Sequence, residues 1–215
     1  MSAEKKTEFL VHILDDAARE KLKNFFNDLE AELEREGMGI ALFNVVQELV
    51  TNAVKANVKR VFFEENHYNL DDPSEYQRGI EDFREFFRRL DGAAYQKNLK
   101  AMELSVRVDV DLDHQRLLIF VRNNTIMVQE EEARIRKNLA AAMGVKDLVE
   151  FSVHYGDESE GNGLGLAMVV LLIKDMGFDP SFFRVYHNGG HTTARLEFPL
   201  SADYRPLRES VSDSP

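Results

Sequence analysis

Glu160-Gly161-Asn162-Gly163-Leu164-Gly165-Leu166-Ala167-Met168 sets three glycines two residues apart at the head of a segment that is apolar for nearly all its length. Glycine takes positive φ without steric cost and lets the backbone lie close to a ligand. The helix predicted to follow begins with unpaired N–H groups and the positive end of its dipole, which together favour an anion. Taken alone, the stretch fits a flexible turn before a buried helix equally well. A second segment, far upstream, bears on the choice.

That segment is Gln47-Glu48-Leu49-Val50-Thr51-Asn52-Ala53-Val54-Lys55-Ala56-Asn57. Leu42, Val45, Val46, Leu49, Ala53 and Val54 recur at helical spacing and form a core-facing stripe. Asn44, Glu48, Asn52 and Lys55, separated by four, four and three residues, fall on one ridge of the same helix. The ridge offers a carboxylate, a carboxamide and an ammonium group. Such a set can orient a water, ligate a hard cation through oxygen and neutralise a phosphate. A solvated polar face has the same composition.

Together the two segments resemble the ATP-binding domain shared by sensor histidine kinases, anti-sigma serine kinases, DNA gyrase B, Hsp90 and MutL. Glu48-Leu49-Val50-Thr51-Asn52-Ala53-Val54-Lys55 is similar to the N box of that superfamily, and Gly161-Asn162-Gly163-Leu164-Gly165-Leu166 to its G2 box. Gly189-Gly190-His191-Thr192-Thr193-Ala194-Arg195-Leu196-Glu197-Phe198-Pro199-Leu200 resembles the closing Gly-Thr-Thr strand, with His191 inserted before the threonines. Order and rough spacing match, and the resemblance runs from about Glu8 to Leu200.

One motif departs from the pattern. The G1 box of the family carries an aspartate that accepts a hydrogen bond from the adenine amino group, followed by glycines. Here the strand Leu117-Leu118-Ile119-Phe120-Val121 runs into Arg122-Asn123-Asn124-Thr125-Ile126-Met127-Val128, so Asn123 stands where the aspartate is usual. Thr125 and Met127 take the places of glycines. The Asn123 oxygen still accepts from the amine, but without charge. Charged hydrogen bonds contribute about 1.5–3 kcal/mol against about 0.5–1.5 for neutral ones, which corresponds to roughly a tenfold loss of affinity.

The resemblance implies an α/β fold: a two-layer sandwich whose mixed, mostly antiparallel sheet is covered by helices on one face. It implies ATP and Mg²⁺, with Asn52 as the metal ligand and Glu48 polarising a water or the attacking group. Lys55 would meet a phosphate, and Gly161, Asn162, Gly163, Leu164 and Gly165 would wrap the phosphates. Thr192 or Thr193 would fix the adenine through water. Residues 128–160 correspond to the lid that covers ATP. Arg122 is not a family feature; it reads as a phosphate clamp or as a surface cation at a strand end.

Composition bounds these readings. The 215 residues, 44% hydrophobic and 30% charged, suit one compact domain. There is no cysteine, hence no disulfide framework, thiolate chemistry or Cys-based zinc site. The longest apolar stretch, Leu164 to Ile173, falls far short of the ~20 residues that span a bilayer and reads as a core helix. Met1 to Thr7 lacks the apolar stretch of a signal peptide, so a cytoplasmic protein is expected. A formal net charge of −11 argues against nucleic acid as the main partner.

Along the chain, Glu8 to Leu14 is strand-like, and Asp15-Asp16 caps a helix over about Ala17 to Glu36. Gly37-Met38-Gly39 breaks the pattern before the N-box helix, and Val58 to Glu64 reads as a short strand. Residues 66–100 are unexpected in a minimal member of the family and read as an inserted helical segment. Tyr76, Ile80, Phe83, Phe86, Phe87 and Leu90 lie along one side of it, facing a core of their own or a docking surface for a partner protein or second subunit in a homodimer. Leu104 to Val110 and Leu117 to Val121 form a hairpin, and a charged helix runs from Gln129 to about Asn138. The domain is expected over 1–203, with a polar tail at 204–215.

None of the six histidines has the context of a phosphoacceptor in a histidine kinase. The chain therefore reads as a catalytic domain without a dimerisation and phosphoacceptor module, either a stand-alone protein acting in trans, which Met1 and the polar tail slightly favour, or a piece of a longer kinase. Two functions follow from the resemblance. The first is an ATP-dependent protein kinase, of histidine kinase or anti-sigma serine kinase type, acting on a partner protein in bacterial two-component or anti-sigma signalling. The second is a non-catalytic regulator of the same fold with weakened nucleotide binding.

Overall fold

Alternating apolar residues decide which way the strands face. Val106, Val108, Val110 and Leu112 are all buried, and so are Leu117, Ile119 and Val121. The register sets Val108 opposite Val121, Val110 opposite Ile119, and Ile119 opposite Leu196, so one continuous apolar face results. In the computed structural model, which describes residues 4–155 and 163–207, this face carries the helices.

The elements in chain order are β1 (Lys5–Val11), α1 (Asp16–Leu33), α2 (Met38–Glu65), α3 (Pro73–Arg88), α4 (Gly92–Ala101), β2 (Val106–Leu112), β3 (Arg116–Asn123), α5 (Gln129–Gly144), α6 (Leu148–Tyr155), α7 (Leu164–Asp175), β4 (Arg184–Asn188) and β5 (His191–Pro199). A 3₁₀ turn, Pro180–Phe182, precedes β4. The five described strands lie in the order β1-β2-β3-β5-β4, and every pairing is antiparallel. The sheet is thus wholly antiparallel rather than mixed. The α/β architecture is the expected one.

Helix α1 starts where the Asp15 side chain accepts from the Ala18 amide at 2.8 Å. It buries Leu22, Phe26 and Leu29 against the core. Helix α2 is the central element. Leu42, Val45, Val46, Leu49, Ala53 and Val54 are buried as their spacing predicts.

The strand expected over 58–64 does not form, because α2 continues through it to Glu65. Val58, Val61, Phe62 and Phe63 have high strand propensity, but they also repeat at helical spacing and are buried. Packing decides the outcome. Phe62 lies 4.8 Å from Phe86 and 5.6 Å from Phe83, and Phe63 lies 5.8 Å from Tyr76, ring centre to ring centre. The aromatic side of α3 is thus directed at the second half of α2. Both charged helices of the 66–100 segment are well capped: Asp72 accepts from Ser74 and Glu75, and Asp91 from Ala93 and Ala94.

Helix α5 reaches Gly144, beyond the predicted Asn138, and α6 follows after three residues. Residues 204–207, expected as the start of a tail, return to the sheet. The Tyr204 hydroxyl and the Leu207 amide both donate to Glu197, at 2.8 and 3.1 Å. Glu197 is buried on β5 and also pairs with Arg195, so its carboxylate gives the segment an anchor that its polar composition did not reveal. No helix among the described residues is long and apolar enough to cross a membrane.

Candidate functional site

The polar ridge of α2 forms one wall of a cleft of about 360 Å³. Glu48, Asn52, Lys55 and Lys59 face into it at successive turns of the helix. Across from them stand Gly163 and Gly165 at the start of α7, and the floor is the apolar face of the sheet at Val121, Asn123, Thr192 and Ala194. Asn44, one turn earlier on the ridge, does not line the cleft. The two segments that carried the sequence reading thus meet in one cavity.

Their contact explains why glycine is needed. A Cβ on Gly165 would run into the Glu48 carboxylate, so the bare backbone is what leaves Glu48 its place between α7 and α2. Gly163, the residue before α7, has φ +65°, and a Cβ there would lie 2.5 Å from the Asn138 amide nitrogen. Glu160, Gly161 and Asn162 lie outside the described residues. Leu164 is half-buried at the first turn of α7 and does not line the cleft.

On α2 the Asn52 Nδ2 donates to Glu48 Oε1 at 3.0 Å. This bond fixes the amide so that its oxygen remains available to a cation. The residues therefore fit a hard divalent ion that takes few protein oxygens and keeps its waters. Lys55 also lies 5.7 Å from the Phe87 ring, an aromatic of the 66–100 segment.

Farther along α2 lies a buried ionic cluster. Lys59 Nζ is 2.5 Å from Glu131 Oε1, and Arg60 Nη2 is 2.6 Å from Glu131 Oε2. The three side chains are only 5–12% exposed. Burial alone would raise the Glu131 carboxyl, but the charges of Lys59 and Arg60 outweigh it and hold it at about 2. Glu131 also accepts from the Val128 amide at 3.0 Å, and Arg60 donates to the Ile126 carbonyl at 2.7 Å. The start of α5 is thus clamped to α2. Lys55, Lys59, Arg60 and Arg134 line the cleft against two carboxylates, Glu48 and Glu131. A local cationic excess in a chain of net charge −11 suits a small polyanion.

Asn123, the G1 position, is buried at the cleft floor, 3% exposed. Its Nδ2 donates to Thr125 Oγ1 at 2.5 Å and to Asn57 Oδ1 at 3.2 Å. Thr192, paired with Asn123 across the strands, donates its hydroxyl to the Thr125 carbonyl at 2.7 Å. Of the two candidate threonines, Thr192 lines the cleft, while Thr193 is buried on the opposite face of β5. Arg122 also lies on that opposite face, where it pairs with Asp109 and stacks on Phe120 at 4.2 Å, so it does not reach the cleft.

Several lining residues escaped the sequence reading, namely Lys59, Arg60, Glu131, Arg134 and Asn138. Lys59 follows Lys55 by one helical turn, a spacing that extends the ridge once residues 58–64 are read as helix. Nothing in the sequence marks the partnership of Glu131 with α2, 71 residues away from Arg60.

An uncharacterized protein of Treponema pallidum (strain Nichols) is 34% identical to this chain over 173 residues, a region covering 78% of the chain and 33% of that protein. The chain thus spans about a third of the length of that relative. Residues 37–202 match the family described as histidine kinase-, DNA gyrase B- and HSP90-like ATPase, a span that holds all the cleft walls from Glu48 to Ala194. The chain belongs to that ATPase family, whose shared domain binds ATP.

Proposed function

We propose that the cleft binds ATP with Mg²⁺ and that the chain is a protein kinase acting in trans on a partner protein, in bacterial two-component or anti-sigma signalling. The observation that carries this reading is the meeting of Asn52 with Gly163 and Gly165 in one cationic cleft. In this account the triphosphate lies between α2 and α7, against the Gly163–Gly165 backbone, with Lys55 beside it. The base lies on the sheet at Asn123 and Thr192. Asn52 holds the metal through its free amide oxygen, and the metal neutralises phosphate charge when bound. Glu48 accepts the proton of the attacking group, held in place by the Asn52 amide. Residues 128–155 are the described part of the lid expected over 128–160, the rest of which lies outside the described residues, and 1–203 are read as one domain with the 66–100 helices as an insertion.

A second reading has its own support. Thr125 and Met127 replace glycines beside the base position, and Thr125 is buried and hydrogen-bonded inward. The G1 segment is therefore built as structure, which favours a regulator that retains the fold with weak nucleotide binding. Calorimetric titration with Mg·ATP, beside Asn52→Ala, separates the two. Heat from the parent and little from the variant supports the kinase reading, and radiolabel transfer to a partner then tests turnover. Silence at millimolar nucleotide removes it.

A further inference from the structure

Asn57 is fully buried on α2, one turn beyond Ala53, and belongs to no family motif recognised in the sequence. Its Nδ2 donates to the Ser105 carbonyl at 3.1 Å. A carbonyl only accepts, so the Asn57 amide has one sensible orientation, with Oδ1 turned the other way. Ser105 itself is pinned, because its amide donates to Asn124 Oδ1 at 2.9 Å while Asn124 Nδ2 donates to the Glu103 carbonyl at 2.7 Å. Asn57 Oδ1 then faces Asn123 and Thr125, and both donate to it at 3.2 Å. Thr125 Oγ1, having given its proton to Asn57, accepts the second proton of Asn123 Nδ2. The backbone of Thr125 is fixed in turn by Thr192.

The chain of donors and acceptors leaves Asn123 no choice. Both protons of its amide nitrogen point into the protein, and among the described residues its oxygen accepts no side-chain hydrogen bond. Flipping the amide would set the Asn123 and Asn57 oxygens against each other and orphan a buried acceptor, which is unfavourable. Building on the nucleotide reading above, we propose that Asn57 and Thr125 are positioning residues that lock the Asn123 oxygen toward the base, so that a neutral amide selects a purine with a 6-amino donor over one with a 6-oxo acceptor. A free asparagine presents either face and selects neither. An aspartate in this place needs no such lock, because both of its oxygens accept.

The test uses the full chain and two nucleotides that differ at purine position 6, ATP and inosine triphosphate, titrated with Mg²⁺ by calorimetry. The parent binds ATP about tenfold or more tightly than the inosine nucleotide, because the wrong base leaves a buried acceptor facing an acceptor. Asn57→Leu brings the ratio to within about threefold of unity, since the Asn123 amide is then free to turn. Asn57→Asp, which keeps an acceptor toward Asn123, retains the preference. Thr125→Val removes the shorter of the two bonds to Nδ2 and lowers the ratio by at least about threefold, and it decides the matter should Asn57→Leu not fold. An unchanged ratio in Thr125→Val, or equal binding of both nucleotides by the parent, overturns the lock while leaving the nucleotide reading intact. A parent that binds neither nucleotide removes both.

Discussion

Replacing Glu131 by glutamine tests the ionic cluster that ties α5 to α2. The carboxylate faces Lys59 and Arg60 at 2.5 and 2.6 Å, all three side chains being 5–12% exposed. Glutamine keeps an oxygen for one of the two cations and for the Val128 amide, but it removes the charge. Stranding a buried cation in this way costs about 3–5 kcal/mol, and the retained hydrogen bond places the loss at the lower end, about 3 kcal/mol. With a urea m-value of about 3 kcal/mol/M for a chain of this size, the unfolding midpoint drops by about 1 M. Adding Lys59→Met removes one stranded charge and restores part of the loss, a coupling that a double-mutant cycle reads directly. The pH dependence follows from the same carboxyl. Its folded pKa of about 2 lies below the unfolded value of 4.5. Its contribution is therefore complete above the unfolded value and is lost as pH falls from 4.5 toward about 2. The parent destabilises more steeply across that window than Glu131→Gln. A midpoint shift under about 0.2 M with an unchanged m-value would refute the reasoning, as would identical acid limbs for the two proteins.

Gly165→Ala brings a methyl group against the Glu48 carboxylate, so the variant folds with normal circular dichroism but loses at least about tenfold in nucleotide affinity by calorimetry. Unchanged affinity would place the phosphates away from the α2–α7 contact. Glu48→Gln leaves the cleft shape nearly intact and keeps Mg·ATP binding within about threefold, while radiolabel transfer falls by about a hundredfold or more. A variant that transfers at the parental rate excludes Glu48 as the base. Helices α5 and α6 gain protection from hydrogen exchange when nucleotide binds, including around Val149 and Val153, which are 72% and 74% exposed. Equal exchange with and without nucleotide counts against a lid in this part of the chain.

Much of the site was legible because its chemistry depends on local spacing. Glu48, Asn52 and Lys55 sit on one ridge by arithmetic alone, and the glycine run announced a close approach before its partner was known. The fold class followed from the family resemblance that the ordered motifs carry. What the sequence hid depends on contacts between distant segments. The 58–64 stretch has the composition of a strand, and only the aromatic residues of α3 make it the end of a helix. Lys59 and Arg60 were lost with that misreading. Asn57 was given no role in the sequence, yet its amide links α2 to the G1 segment through Asn123, 66 positions later. Thr192 and Thr193 were equivalent on paper, and strand alternation alone sends one to the cleft and the other to the far face.

The central claim is that nucleotide occupies the cleft between α2 and α7, and a crystal structure with Mg²⁺ and a non-hydrolysable ATP analogue tests it most directly. The account predicts the phosphates against Gly163 and Gly165, the metal on the Asn52 oxygen, and the adenine amine within hydrogen-bond reach of the Asn123 oxygen. Density for the analogue elsewhere, or in the cleft with its phosphates turned toward Thr192, would contradict it.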